Sequence, residues 1–392
     1  MSIPGEVVEP FGGGMNNIAQ TDALPKGYTR ELMNFDPLNG GSLAMRAGYS
    51  RVATVGNVRG GVPYGGKIVV VSDTVDVFNP GDGSLLRLDV APAGSTVIGA
   101  ELNGDCFLQV GVTQLRIRDG LIAPWAGHEA IVSVTMGTGS LPAGTYRVAT
   151  TETDVFGAEG GTTPSIVTVG DNTSITMSWT GGPRNVYTSA PNGETLYFQT
   201  VAASTFTLST VGIDSTSRLT TGNMQPPPVA EGIVADKARL FMHSGNAVWA
   251  TEPFAPHLVD YINGYLLFDA PVTVVQPVDA GVYVCTASRT YFVEDFGTKD
   301  IEQKVVAEVG AVSGSGTILP DGSATWMSRF GQVRAANGAI EFPQRGVYAP
   351  IVATSASAGV VNNNGVEMIV TNQRGAAVNS LGVVDSFDLE IE

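Results

Sequence analysis

Basic charge is the first thing that this sequence has little of. Lysine and arginine together number 21 against 37 aspartates and glutamates, which gives a net charge of −16 at pH 7. A protein that grips nucleic acid needs basic side chains to displace counterions from the phosphates, and no cluster of lysines or arginines occurs here. Tight nucleic-acid binding is therefore not expected. An acidic channel wall could still let a duplex slide past, because it offers the phosphates no counter-charge.

Histidine and cysteine, the usual carriers of catalysis and metal binding, are also scarce. The three histidines, His128, His243 and His257, stand apart from one another and from the two cysteines. Cys106 and Cys285 lie in apolar, strand-like surroundings, where small buried thiols are common. No set of residues has the spacing of a metal site, and the sequence singles out no nucleophile with its base. We expect no metal, no cofactor and no enzymatic activity.

Long hydrophobic runs are missing as well. No stretch approaches the ~20 apolar residues that a membrane-spanning helix needs. The first ten residues, MSIPGEVVEP, lack the basic start and the apolar stretch of a secretion signal. We therefore expect a soluble chain, without membrane insertion, that is made and kept inside a cell.

Glycine, by contrast, is abundant, with 49 of 392 residues scattered among short runs of valine, threonine and isoleucine. This texture predicts many short strands joined by tight turns. Residues 67–90 form one predicted antiparallel unit, which opens with a strand at 67–71. Residues 102–118 begin a second unit, in which alternation places Leu115 and Ile117 inward.

Later segments repeat this plan at about the length of a four-stranded propeller blade, ~40 residues. The segments are 231–268, 269–309, 310–350 and 351–392. With the two units before residue 128, the chain accommodates a five- or six-bladed β-propeller, whose radial repetition protects strand edges. The final residues, 387–392, alternate apolar and acidic side chains, which predicts a strand that could complete a blade begun elsewhere.

A stretch of different character interrupts the repeats. Residues 129–213 are poor in charge and rich in threonine, and their regularly spaced short strands predict an inserted fibronectin III-like β-sandwich. Residues 1–50 read as an extended N-terminal arm, in which Pro25 and the residues behind it suit one short helix. The propeller then occupies 51–128 and 214–392, and the whole chain is expected to be all-β.

The arm contains an ordered series of short motifs. They are Gly12-Gly13-Gly14, Leu24-Pro25, Asn34 and, at 41–48, GSLAMRAG. This series resembles the opening of the nozzle, tubular and DNA-stabilising tail-plug proteins of short-tailed bacteriophages. Further along, GTYRV at 144–148 and DVFGAE at 154–159 are similar to the fibronectin-like insert of such proteins, and WATEPF at 249–254 is similar to their propeller blades.

The resemblance implies a structural protein of the virion. Such a β-propeller subunit joins copies of itself into a ring, commonly a hexamer, beneath the portal and adaptor and among other tail proteins. The ring retains the genomic DNA and later lets it pass without tight binding. The protein would be synthesised in the cytoplasm of the host bacterium and would end in the virion tail.

The arm is also the expected contact between subunits. An extended, glycine-rich segment buries too little apolar surface to order itself, so a neighbouring subunit should fix it. The expected interface residues are Gly12, Gly13, Gly14, Asn34, Arg46 and Gly48.

A second class of function stays open, namely a host-attachment propeller that binds or hydrolyses carbohydrate. LPDGSATW at 319–326 is close to the aspartate box of sialidase-type propellers, although its glycine comes one residue early and such boxes are structural turns. Sialidase chemistry also needs an arginine triad and a tyrosine nucleophile, and no such set stands out. We expect Trp179, Tyr187 and Tyr197 to be core residues of the insert rather than a platform for sugars.

Overall fold

The chain folds into short strands grouped in many small, mostly antiparallel sheets. The computed structural model describes residues 13–20, 23–30, 35–37, 42–45, 53–94, 96–125, 127–129, 133–212, 216–296, 301–348, 350, 353–363 and 366–375. Within these ranges no α-helix forms, so no helix there could cross a membrane. The all-β class is confirmed. Two compact units are present, residues 1–51 with 268–392, and residues 52–267.

The described part of the arm contains four short strands. They are β1 (Gly14–Met15), β2 (Tyr28–Thr29), β3 (Phe35–Pro37) and β4 (Leu43–Met45). The helix expected behind Pro25 is wrong where the structure describes it, because β2 extends to pair with β1 in parallel. The Tyr28 N–H donates to the Pro25 carbonyl over 3.2 Å, which closes a turn rather than a helix. Residues 31–34 lie outside the described residues.

Two four-stranded antiparallel sheets open the unit at 52–267, each with its strands in sequential order. The first contains β5 (Gly60–Tyr64), β6 (Lys67–Val71), β7 (Thr74–Asn79) and β8 (Ser84–Val90). The second contains β9 (Val97–Leu102), β10 (Asp105–Val110), β11 (Thr113–Arg118) and β12 (Leu121–Pro124). Leu115 and Ile117 are buried, as their alternation predicts.

The stretch predicted as an insert forms two further sheets and one short parallel pair. Its strands are β13 (His128–Glu129), β14 (Ser133–Leu141), β15 (Gly144–Thr151), β16 (Gly161–Thr162), β17 (Ser165–Val169), β18 (Thr173–Ser178), β19 (Arg184–Thr188), β20 (Tyr197–Ala202) and β21 (Thr205–Leu208). One sheet has the order β14-β18-β21 and the other β17-β15-β19-β20, while β13 pairs with β16. Both contribute to one core around Leu141, Tyr146, Ile175 and Trp179. The two sheets therefore pack face to face.

A third sequential sheet ends this unit. Its strands are β23 (Gly232–Asp236), β24 (Arg239–Ser244), β25 (Ala247–Ala250) and β27 (Tyr265–Leu267). Two short strands, β22 (Met224–Gln225) and β26 (Val259–Asp260), form a separate pair beside it.

The other unit contains two more four-stranded sheets and a hairpin. The sheets are β28 (Val272–Val278), β29 (Gly281–Thr286), β30 (Thr290–Glu294) and β31 (Glu302–Ala307), and then β32 (Thr317–Ile318), β33 (Ala324–Ser328), β34 (Gly331–Ala336) and β35 (Ala339–Glu341). The hairpin is β36 (Ser355–Asn363) with β37 (Val366–Arg374). The predicted strand at 387–392 lies outside the described residues.

Each sequential sheet is buried against the next one in its unit. Every residue of β10 is buried, because Cys106 and Leu108 face the first sheet while Phe107 faces the third. In the other unit, Tyr283 and Trp326 share a core between the two four-stranded sheets. Each hydrophobic core thus lies between two neighbouring sheets and contains residues of both.

One turn departs from the chemistry of the others. Among the described residues, ten non-glycine residues have positive φ, and all but one are asparagine, aspartate or lysine. The exception is Phe254, at φ 65°, where a bulky side chain is an outlier. It occupies the third position of a turn behind Pro253, closed by the Ala255 N–H donating to the Glu252 carbonyl over 3.1 Å. Its side chain is 90% exposed, so no burial offsets the strain.

Replacing Phe254 should therefore stabilise the fold. We expect Phe254→Asn to raise the free energy of unfolding by about 1 kcal/mol, because asparagine tolerates this backbone conformation. Chemical denaturation of both proteins measures the difference. Ile262→Asn is the matched control, since Ile262 is 77% exposed and is not among the positive-φ residues. An equal gain in the control, or a loss in Phe254→Asn, would contradict the strain argument.

Candidate functional site

Two of the six expected interface residues lie within the described part of the arm. A Cβ on Gly13 would overlap the ring of Tyr28, and Gly14 has φ 78°, so both positions need glycine for local reasons. The remaining four, Gly12, Asn34, Arg46 and Gly48, lie outside the described residues. The arm also contacts its own chain, because the Asn17 N–H donates to the Val347 carbonyl over 3.2 Å.

A group of buried polar side chains lies where the insert joins the rest of its unit. There the short strand β16 is held between the two connections of the insert. The Gly161 N–H donates to the Gly127 carbonyl over 3.1 Å, and the Asn223 N–H donates to the Thr162 carbonyl over 2.7 Å. A Cβ on Gly161 would overlap the Met224 carbonyl oxygen, so only glycine fits. The segment that leads into the insert and the segment that leads out of it are therefore both hydrogen-bonded to β16.

Buried arginine and aspartate side chains join the insert to the second sheet. Arg116, on β11, donates from Nε to Asp105 Oδ2 over 2.7 Å and pairs with the same carboxylate through a terminal nitrogen. Its other terminal nitrogen lies 3.5 Å from Asp154 Oδ2, in the insert. Arg118 also pairs with Asp105. Arg116, Asp105 and Asp154 all have side chains at most 7% exposed, so their charges depend on one another for compensation.

The loop that supplies Asp154 is shaped by its own carboxylate. Asp154 Oδ1 accepts the N–H groups of Phe156, over 2.9 Å, and Ala158, over 2.8 Å. This turn places the Phe156 ring against both arginines, with guanidinium carbons 5.2 Å (Arg116) and 5.6 Å (Arg118) from its centroid. Stacking on a ring satisfies the guanidinium faces that no carboxylate reaches.

Glu159 ends the same loop and holds the insert together. Its Oε1 accepts hydrogen bonds from Thr151, from the Asn185 amide over 3.1 Å and from the Tyr187 hydroxyl over 2.6 Å. Burial raises the pKa of Tyr187, and this hydrogen bond to Glu159 raises it further. Tyr187 is thus a donor that stays protonated, not a nucleophile.

His257 attaches the loop to the connection between β25 and β27. Its Nε2 lies 2.9 Å from the Glu159 carbonyl oxygen, which can only accept, so Nε2 carries the proton. Its Nδ1 is buried without a hydrogen-bond partner. Burial, assisted by the charge of Arg116, lowers the pKa of His257 below its usual 6.5, although its hydrogen bond to Glu159 and the charge of Asp154 act the other way. His257 is neutral at pH 7.

This junction is defined by Asp105, Arg116, Arg118, Asp154, Phe156, Glu159 and His257, whose side chains contact one another or the backbone of the insert. Asp105 and Asp154 are paired with arginine, and Glu159 accepts hydrogen bonds from hydroxyl and amide donors. Its histidine is buried. What the arrangement does is hold the insert in one orientation on the second and third sheets.

Sequence reasoning found the junction only in part. DVFGAE at 154–159 stood out through resemblance, but Asp105, Arg116 and His257 were not connected with it. A usable signal was present, since Arg116 and Arg118 are two residues apart on one face of a strand in a chain poor in cations. A strand with buried residues on both faces hides that signal.

Other predicted features have local, structural explanations. Asp321 belongs to the segment 319–326, whose sequence resembles an aspartate box, and lies in the turn before β33. Its carboxylate accepts the Ser323 N–H over 2.9 Å and pairs with Arg334, on β34. Cys106 and Cys285 are fully buried, as expected. Trp179 and Tyr187 are core residues, whereas Tyr197 is only half-buried. Among the described residues, no group of three or more His, Cys, Asp or Glu side chains could hold a metal ion.

A cleft of about 470 Å³ lies in the unit that contains β28–β37. Its lining includes hydroxyl groups and one cation, from Thr273, Ser288, Ser313, Ser328, Thr354 and Arg329. The described residues of its lining include no carboxylate and no histidine. The pair of carboxylates on which most glycoside hydrolysis depends is therefore not assembled there.

Comparison with known proteins does not show a family. No protein-family model matches the sequence, and no curated protein matches it. Solved structures similar to this chain include the extracellular domain of a protein described as a hybrid two-component system from B. thetaiotaomicron, at 10% identity, TM-score 0.30 and 85% coverage of this chain. PorZ, a surface component of the type-IX secretion system of Porphyromonas gingivalis, has 11% identity, TM-score 0.29 and 78% coverage.

The chain spans 38% and 36% of the lengths of these two structures. At TM-scores of this size, the likenesses carry no argument about fold or function. The fold and the function are therefore inferred from the geometry of the chain itself.

Removing the buried guanidinium of Arg116 should destabilise the folded protein. We expect Arg116→Ala to lower the free energy of unfolding by about 3 kcal/mol or more, because it leaves Asp154 buried without its ion-pair partner. Equilibrium denaturation measures the loss. Arg147→Ala is the control, since Arg147 pairs with a Glu194 side chain that is 86% exposed, and such surface pairs contribute under about 1 kcal/mol. Equal effects in the two variants would refute a special role for the junction.

The buried histidines should make stability depend on pH. Burial also lowers the pKa of His243, although the charge of Glu231 opposes the shift. The unfolded chain therefore takes up protons first, near pH 6.5, and protonation favours unfolding. We expect the free energy of unfolding to fall between pH 7.5 and 5.5, at a slope of at most about 1.4 kcal/mol per pH unit for each histidine.

Denaturation curves at four or five pH values in this range test the assignment. His257→Gln keeps a donor for the Glu159 carbonyl and should remove part of the slope, and the double variant with His243→Gln should remove most of it. An unchanged slope in the double variant would mean that other groups carry the pH dependence.

Proposed function

We propose that this chain is a structural subunit of a bacteriophage tail, a nozzle, hub or plug, whose copies form a ring through which DNA is retained and ejected. In this proposal the sequential sheets are the blades of a five- or six-bladed β-propeller, and the face-to-face sheets are a fibronectin III-like insert. The main support is that the first strand of each sequential sheet contacts the first strand of the next sheet in the same unit. β5, β9 and β23 lie side by side in one unit, and β28, β32 and β36 lie side by side in the other. Propeller blades meet through their innermost strands in this way.

The position of the insert supports the same architecture. The second and third sheets are neighbours that share Phe107, Trp125, Leu240 and Met242, although about a hundred residues separate them along the chain. The insert therefore interrupts the sequence but not the packing. Its three-plus-four division of strands is that of an immunoglobulin-type sandwich. A module rooted so firmly suits a part that must hold its position under load.

Charge supports a conduit rather than a DNA-binding surface. The net charge is −16, and several of the cations have partners within the chain. Among the described residues, arginines that pair with carboxylates include Arg87, Arg116, Arg118, Arg147, Arg184, Arg289 and Arg334. Arg59 donates instead to the backbone carbonyls of Ser72 and Pro92. Such cations contribute little to phosphate binding, so DNA should pass without adhering.

Purified protein should form rings with a central hole in negative-stain images. We expect deletion of residues 1–48 to leave a folded monomer that forms no rings, because the arm is the proposed contact between subunits. Circular dichroism checks the fold, and light scattering after gel filtration checks the mass. The full chain should not retard duplex DNA in a gel at about 0.15 M salt.

The outcomes separate the proposed function from the alternative. Compact single particles that bind glycans on an array would favour a host-attachment propeller. A deletion variant that still forms normal rings would remove the arm from the interface but leave the conduit. Tight binding of duplex DNA by the protein in the gel assay would contradict the conduit itself.

A further inference from the structure

Phe254 is held on the protein surface by a backbone conformation that costs free energy. Its φ of 65° is an outlier for a bulky residue, and its side chain is 90% exposed, so no burial within the chain offsets the strain. Strained positions cluster at binding and switching sites, where the surrounding structure holds a side chain in the orientation that it needs. The exposed ring is therefore suited to anchor another molecule.

The turn that carries Phe254 is rigid. Pro253 and Pro256 restrict the backbone on both sides of it, because the ring of each proline fixes its own φ. The Glu252 N–H donates to the Leu258 carbonyl over 2.9 Å and closes the turn at its base. A side chain on a rigid support gives up little conformational freedom on binding, which favours its use as an anchor.

The cleft of about 470 Å³ in the unit that contains β28–β37 has the properties of a receptor for such an anchor. Its lining includes the turn between β29 and β30 and the turn between β33 and β34. Clefts of roughly 300–1,000 Å³ are of a size that buries small organic groups. An aromatic ring placed there would remove apolar surface of the cleft from water together with its own. The apolar side chains of the lining are Ala287, Val309, Ala311, Val312, Pro350 and Ala353.

The charges of the two surfaces are complementary. Arg329 is exposed at the cleft, where its guanidinium donates to the Glu308 carbonyl over 3.3 Å and lies 4.9 Å from the centroid of the Phe330 ring. Among the described residues, neither Arg329 nor Glu252, two residues before Phe254, has an ion-pair partner. The described lining of the cleft contains no carboxylate. A turn that presents a carboxylate beside an aromatic ring is therefore attracted to it.

We propose that the Phe254 turn of one copy enters this cleft of a second copy, with the ring against the apolar lining and Glu252 paired with Arg329. This inference names a contact of the proposed ring and rests on it. The two surfaces differ, so the contact is heterologous, and such contacts generate rings where the rotation between copies closes. Aromatic and arginine side chains are also those that most often dominate the free energy of protein contacts. The N-terminal arm is then a second contact of the same ring.

Assembly of the full-length chain tests the anchor. Phe254→Ala should raise the concentration at which half of the chain is assembled at least about tenfold, because it removes the ring that fills the cleft. Phe254→Asn should do the same although it stabilises the monomer, so lost assembly is not lost folding. Light scattering after gel filtration at a series of concentrations measures the midpoint. Val112→Ala is the matched control, since Val112 is 76% exposed on the β10–β11 turn, outside the proposed contact.

Charge exchange tests the ion pair. Glu252→Arg and Arg329→Glu should each weaken assembly at least about tenfold, because like charges would meet across the contact. Glu252→Arg also reduces the net negative charge, so weaker assembly in this variant cannot come from general repulsion between copies. Both substitutions in one chain should recover most of the loss, since the pair forms again with its charges reversed. Thermal unfolding followed by circular dichroism checks that each variant is folded.

Several results would overturn the contact. Normal rings in Phe254→Ala would remove this turn from the interface and leave the conduit intact. A double charge variant that assembles no better than the single variants would give Glu252 and Arg329 different partners. An equal effect of Val112→Ala would mean that exposed apolar side chains act without specificity. Dimers or open filaments that Phe254→Ala disrupts would support the contact and reject the ring, whereas a chain that stays monomeric at every concentration would overturn both.

Discussion

The fold depends on the packing of one small sheet against the next. A sheet of four strands, each four to seven residues in most cases here, cannot bury apolar side chains on its own. The second sheet shows how the constraint is met, because Cys106 and Leu108 pack on the first sheet while Phe107 packs on the third. Since both faces of such a sheet are used, its stability comes from neighbours, and the edge strands carry most of the exposure.

That constraint explains why the insert needs a buried polar root. The insert has its own core and could rotate on two short connections. The pairs of Arg116 with Asp105 and Asp154 prevent this, but taking three charges out of water costs several kcal/mol, which the ion pairs, the Phe156 ring and the turn of Asp154 must offset. An apolar contact would avoid this desolvation free energy. A charged one also favours one orientation, because the Arg116 guanidinium must lie near Asp105 and Asp154 at the same time.

Local patterns were predictable from the sequence, and long-range pairs were not. The strand at Lys67–Val71 and the inward side chains of Leu115 and Ile117 follow from composition and alternation, which act within a few residues. The helix behind Pro25 was wrong because pairing of β1 with β2, a contact between segments about a dozen residues apart, outweighs a weak local preference. The junction escaped for the same reason. Arg116 and Asp154 meet only after the second sheet and the insert have both folded.

The acidic balance bears on how copies of this chain could meet. At a net charge of −16, copies repel one another at low salt, so a stable contact must be local and largely apolar or must neutralise carboxylates. Arginines that already pair with carboxylates of the same chain, such as Arg87, Arg289 and Arg334, are less able to neutralise those of a neighbour. Exposed apolar side chains remain, and the connection between β25 and β27 presents two of them, Phe254 and Ile262. Repulsion over most of the surface would then favour those assemblies in which such patches meet, which is how a strongly charged subunit can form a defined ring rather than aggregate through its many strand edges.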